Sequence, residues 1–162
     1  MSRKLFGFGI GAGLLGLVFG TISLASAGSD ITSAQTIHLS GKITEHTALD
    51  LGTPGFSQGD EFVISGPLFN QAGTQQVGGF GGYIVVVKTG PKATGEGLVT
   101  FRLSGGQITF QGLQPFVPPP ALGPPFQSAV NGGTGVFQNA RGQATVTETG
   151  PDTFAVTVHL IP

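Results

Sequence analysis

A chain of 162 residues with no cysteine, 29 glycines and 9% charged side chains has no disulfide framework and no thiol chemistry, and few charges to guard open sheet edges. Seven basic groups stand against eight acidic ones, a net charge of −1, and beyond Arg3 and Lys4 the cations Lys42, Lys88, Lys92, Arg102 and Arg141 are scattered singly. A nucleic-acid face needs them clustered, so no nucleic-acid partner is expected.

Arg3 and Lys4 precede an apolar, glycine-rich run from Leu5 to Leu24, and Ala25-Ser26-Ala27 follows. These three parts predict a secretory signal peptide over residues 1–27, formed as a helix and cut after Ala27, so the mature chain is expected outside the cell. The run is also long enough to span a bilayer, and a membrane anchor is the competing expectation if it stays uncut. Residues 28–34 read as a short linker and 35–162 as one domain, large enough to bury a core without covalent staples.

Eight stretches of that domain carry strand composition: Gln35 to His46, Asp60 to Phe69, Gly82 to Thr89, Gly97 to Ser104, Gly106 to Leu113, Phe126 to Asn131, Ala140 to Thr149 and Thr153 to Ile161. Each is short and bounded by Gly, Pro, Asn or Asp, and no helical period runs through them. Ser104-Gly105-Gly106 and Thr149-Gly150-Pro151-Asp152 are tight links between neighbours. Phe154, Val156, Val158 and Leu160 share one face, whereas Asp60 to Phe69 and Tyr83 to Val87 are apolar on both, as in strands covered outside as well as inside. The fold class is therefore all-β. An even number of short strands with few edge charges favours an eight-stranded antiparallel β-barrel, with a two-sheet sandwich as the alternative.

Between Gln114 and Pro125 a proline-rich run forbids a central strand; it reads as a stiff connector, or as a lid that lays Phe116, Val117, Leu122 and Phe126 over a barrel mouth. Val130 to Thr149 holds a glycine knot, Gly132, Gly133 and Gly135, which predicts a tight corner with positive φ angles. A phosphate-cradling loop would need a helix next, and a period-two strand follows instead. No nucleophile elbow, helical His-Glu-x-x-His or P-loop string occurs, so hydrolase and phosphotransferase chemistry have no support.

Several pieces, in order, resemble the small calycin-like barrels that include the plant allene oxide cyclases, the dirigent proteins and their bacterial relatives. They are Ile37 to Glu45 as opening strand, Gly59-Asp60 leading into Phe62 to Leu68, the glycine-rich approach Val77 to Tyr83, and the corner Gly132 to Val146. The resemblance implies an eight-stranded antiparallel barrel with a hydrophobic cavity, often trimeric, that steers a reactive apolar molecule through cyclisation or stereoselective coupling without a cofactor. Ser65 and Gly66 stand where dirigent strands carry acidic residues, Ile84 where relatives place a cysteine or tyrosine, and Lys42 where the cyclases place a glutamate.

Six residues are candidates for binding an apolar small-molecule ligand; no residue is assigned a catalytic role. Glu45 shares strand parity with Ile37, Leu39 and Ile43, and Glu148 with Ala144 and Val146, so at least one carboxyl is expected to face the cavity. Arg141 matches the family's Ala-Arg-Gly and would donate to a ligand oxygen, although its parity with Gln143 and Thr145 places an outward role beside that one. Tyr83 offers a hydroxyl near the glycine-rich approach, Phe116 an apolar cover, and Asp60 either an acid or a turn residue. His38 and His46 lie eight residues apart on one strand, too far to share a coordination sphere, and no metal is expected. The two functional readings are a secreted barrel that binds an apolar molecule and steers its chemistry, and a non-catalytic carrier or self-associating barrel.

Overall fold

The computed structural model describes residues 33–116 and 122–162. The expected signal segment, most of the linker, and Val117 with the prolines beside it lie outside the described residues. Nine strands run in chain order: β1 (Gln35–Lys42), β2 (Glu45–Leu49), β3 (Glu61–Asn70), β4 (Gln76–Lys88), β5 (Thr94–Leu103), β6 (Gly106–Pro115), β7 (Phe126–Gly135), β8 (Arg141–Gly150) and β9 (Thr153–Ile161). All pair antiparallel in the order β1-β9-β8-β7-β6-β5-β4-β3-β2, and β1 also pairs with β3, which closes the sheet into a barrel. β1 and β2 together make up the eighth stave, so the fold is the expected eight-stranded antiparallel barrel with its first strand in two pieces.

The break in that strand has a specific cause. Gly41 pairs with Leu68 on β3, but Glu45 pairs with Ser65, so the register slips by one residue between the two points. One extra residue is a β-bulge, and a one-residue slip exchanges the faces of everything beyond it. Ile43 bonds through its N–H to Asp152 O at 2.7 Å, Thr44 to Ser65 O at 3.0 Å, and the chain crosses from one neighbour to the other. Gly66 makes this seam possible, because a Cβ there would run into the Lys42 carbonyl.

Two other expectations shift. β4 begins at Gln76, not Gly82, since the glycine-rich approach is itself strand. The glycine knot likewise extends β7 to Gly135; the corner is Val136 to Asn139, where Phe137 N–H reaches Thr134 O, Gln138 N–H reaches Gly135 O, and Asn139 takes φ 62°. Gly133 has no positive φ; its role is close packing, since a Cβ there would meet the Phe137 and Gln107 carbonyls.

Inward positions divide the barrel into two halves. At one end Leu39, Leu68, Ile108, Val130, Val158 and Leu160 fill the interior, and Phe137 from the corner plugs it. Above them Phe80, Phe101, Phe110 and Phe154 form an aromatic belt, with neighbouring ring centroids 4.7–6.5 Å apart. Phe154 lies over Gly41, its partner on β1, and occupies the space a side chain there would take.

Candidate functional site

Above the belt the barrel is hollow. A cavity of about 190 Å³ is lined by Ile43, Ile64, Ile84, Val99, Phe126, Val146 and Val156 as well as by the four belt rings. Its space comes from small residues on consecutive strands. Gly97 on β5 is the ladder partner of Gly112 on β6, Gly112 packs against Ser128 on β7, and Ser128 is the partner of Ala144 on β8. Gly97, Ser128 and Ala144 line the cavity, so one wall recedes along small side chains while the belt of rings closes the floor.

The polar groups collect at the mouth: Gln114, Ser128, Thr153 and Glu148. Among the described residues Glu148 is the only ionisable side chain in the lining, and its Oε2 accepts the Gly123 N–H at 2.7 Å. That bond ties the described end of the proline-rich connector across the opening, where Leu122 joins the lining. An apolar chamber with one carboxylate at its rim can exclude water from a guest, fix its orientation through one hydrogen bond, and hold or move one proton there.

A second cluster borders the mouth. Phe116 stacks on Phe56 at 5.1 Å and tilts against Phe62 at 4.8 Å. Phe56 is carried by the loop between β2 and β3, and Asp60 organises that loop. Its carboxylate accepts the N–H groups of Leu51 at 3.0 Å and Ser57 at 2.7 Å and the Ser57 hydroxyl at 3.2 Å. The Ser57 N–H contributes most to holding the Asp60 carboxyl below its ordinary pKa, against burial, which acts the other way.

The six sequence candidates therefore part company. Glu148 lines the cavity, whereas Phe116 is outside its lining and packs against Phe56 and Phe62. Glu45 is turned outward by the bulge and accepts the Ser65 hydroxyl at 2.9 Å. Tyr83 lies on the outer wall, 40% exposed. Arg141 is also outside, its Nε bonded to the Pro162 carbonyl. Asp60 is buried in its loop, the turn role rather than a place in the cavity lining. Sequence reasoning passed over Gln114, Ser128 and the Gly97–Gly112 pair. Ile108, Phe110 and Gly112 share one face in the sequence, and that alternation is the signal that leads to the receding wall.

The closed eight-stranded antiparallel barrel is the fold of solved dirigent proteins and of cyclase barrels. No protein-family model matches the chain, and no curated protein matches it in sequence. Among solved structures it is similar to a pyocyanin demethylase, with 29% identity over 78% of this chain and 99% of that one and a TM-score of 0.67. A pterocarpan synthase dirigent protein matches at 16% identity, over 80% of this chain and 96% of the other, TM-score 0.61. The exo-specific intermolecular Diels-Alderase AbnU matches at 11%, over 79% and 98%, TM-score 0.60. At such identities the last two establish the fold. These structures bear out the barrel fold that the dirigent resemblance implied, while the allene oxide cyclase part gains no support from them.

Proposed function

We propose that this protein is a dirigent-like barrel that takes a small, flat, apolar molecule into its chamber and steers cyclisation or coupling by confinement. The carrying observation is the chamber of about 190 Å³, apolar in its depth and with a single carboxylate, Glu148, at its rim. An apolar cavity of about 150 Å³ admits benzene, so the closed part suits a core of one or two rings with the remainder in the mouth. Confinement in a dry, shaped space restricts which atoms of a reactive guest meet, and Glu148 provides a fixed acceptor that can also carry a proton. The carrier reading shares the binding step and differs only in turnover.

The 29% identity to a pyocyanin demethylase favours a second reading, in which the chamber accepts pyocyanin or a compound of its shape. Calorimetric titration with pyocyanin, with mass analysis of the recovered compound, separates the two. Binding with loss of the methyl group supports the second reading; the absence of any binding removes it and leaves the first to be tested on other guests.

Export after cleavage at Ala27 belongs to the same proposal, as does the trimer that the resemblance implies. An outer wall bearing Val63, Tyr83, Val87 and Leu113, each at least 36% exposed, supports self-association. Native mass spectrometry of protein recovered from the culture medium reads cleavage, assembly and retained ligand together. A full-length, ligand-free monomer confined to the membrane fraction would overturn export and assembly.

A further inference from the structure

Along the sequence His38 and His46 lie eight residues apart, too far to share a coordination sphere. The register brings a different histidine to His38. On the outer face of the β1–β9 ladder, His38 is the partner of Thr157 and Thr36 is the partner of His159, so the two histidines are diagonal neighbours across the strands. The phase of the ladder makes this diagonal a close one. The Ile43 N–H to Asp152 O bond fixes hydrogen-bonded pairs at the odd positions of β1, which leaves Thr36–His159 and His38–Thr157 as non-hydrogen-bonded pairs. At such pairs the Cα atoms approach to about 4.5 Å and side chains on the diagonal come within reach of each other.

Both rings are oriented in the same way. His38 Nδ1 lies 3.1 Å from Thr157 Oγ1, and His159 Nδ1 lies 3.1 Å from Thr36 Oγ1. A hydroxyl that accepts from Nδ1–H selects the tautomer whose Nε2 carries the lone pair, the arrangement in which an outer partner fixes a metal-ligating histidine. We propose that His38 and His159 form a two-imidazole site for a divalent transition metal on the outer wall of the barrel, with Thr157 and Thr36 fixing the rings. Two Zn–N bonds of about 2.0–2.1 Å require Nε2 atoms roughly 3.3 Å apart.

The surroundings define the ligand class. Among the described residues the outward neighbours by register are Ser40, Ala155, Thr145 and Gln143, none of them a carboxylate of the kind that Mg²⁺ and Ca²⁺ prefer. Two nitrogen ligands suit Cu²⁺ and Zn²⁺, copper being held more tightly, with the remaining coordination positions open to water. Arg141, on the same face of β8, is bonded to the Pro162 carbonyl. This site lies outside the barrel and stands apart from the cavity reading.

The test is titration of the full chain with zinc chloride, followed by calorimetry and by the ring ¹⁵N resonances of the three histidines. One zinc ion per chain is expected, with the His38 and His159 Nε2 resonances moving and those of His46 unmoved; magnesium chloride produces no change. His38→Ala and His159→Ala each lower the affinity about tenfold or more, and His46→Ala leaves it unchanged. Thr157→Val keeps both imidazoles and lowers it by about tenfold, the usual effect of losing an orienting partner. Affinity unaltered in both single histidine variants, movement of the His46 resonances with the others, or no zinc binding at all would overturn the proposal.

Discussion

Gly97 pairs with Gly112 across the β5–β6 ladder, and the missing side chain of Gly97 leaves room that the chamber uses. A Cβ at Gly97 would meet only the end of the Gln114 side chain, at 3.3 Å, and Ile84 at 3.7 Å. Gly97→Ala is therefore expected to fold with little loss of stability, and Gly97→Leu to fold while filling the space and abolishing binding of an apolar guest. Gly82→Ala is the contrast, since its Cβ would strike the Leu98 carbonyl and the Val99 backbone, and it is expected to destabilise the fold. Chemical denaturation and guest titration on the three variants check this; guest affinity retained in Gly97→Leu would place the binding site elsewhere.

Glu148 and Glu45 offer an internal comparison, because parity with Ala144 and Val146 carries one carboxylate to the cavity while the β1–β2 bulge turns the other outside. Glu148→Gln keeps an oxygen for the Gly123 N–H but loses the charge and the proton-carrying group. It is expected to lower turnover, or guest affinity if the guest donates to the carboxylate, by about ten- to a hundredfold. Glu45→Gln is expected to change neither by more than about twofold, as befits an exposed side chain. Parallel kinetics and calorimetry on the two single variants decide the matter.

The barrel was legible because its signals are local and repeated: short alternating strands, turn residues between them, and inward faces such as Phe154 to Leu160. The orientation of Glu45 was not, because a bulge is a disagreement between two neighbouring strands, and counting along one strand carries its parity straight through. The pairing of His38 with His159 depends on register in the same way. The chamber lay between: each small residue of its wall is visible in sequence, but only the pairing of Gly97 with Gly112 and Ser128 with Ala144 aligns them into one recess.

Asp60 gives a prediction in pH. Its folded pKa is depressed, chiefly by the Ser57 N–H, so its contribution to stability is fully present above the ordinary aspartate value and is lost as pH falls through the lower, folded value. Asp60→Asn is expected to remove that contribution, to loosen the loop that carries Phe56, and to flatten the acid limb of the stability curve below about pH 4. Thermal unfolding of both proteins between neutral and strongly acidic pH measures it. Equal acid sensitivity in the two would show that the loop does not depend on the carboxylate.

Closure of the barrel rests on its smallest ladder, the three partners that join β1 to β3. Gly66 lets Lys42 approach there, and any side chain at that position meets the Lys42 carbonyl as well as the Phe80 ring at 3.2 Å. The backbone on the β1 side is held by β9 along its whole length and has no freedom to retreat. Gly66→Ala is therefore expected to cost about 1–3 kcal/mol or more, as overpacking does elsewhere, and to act on the seam first. Hydrogen exchange should then show early loss of protection in the second half of β3, Leu68 to Asn70, and in its β1 partners, with β5 to β8 retained. Uniform loss across all strands would mean that the barrel opens as one unit and that this seam is not its weak point.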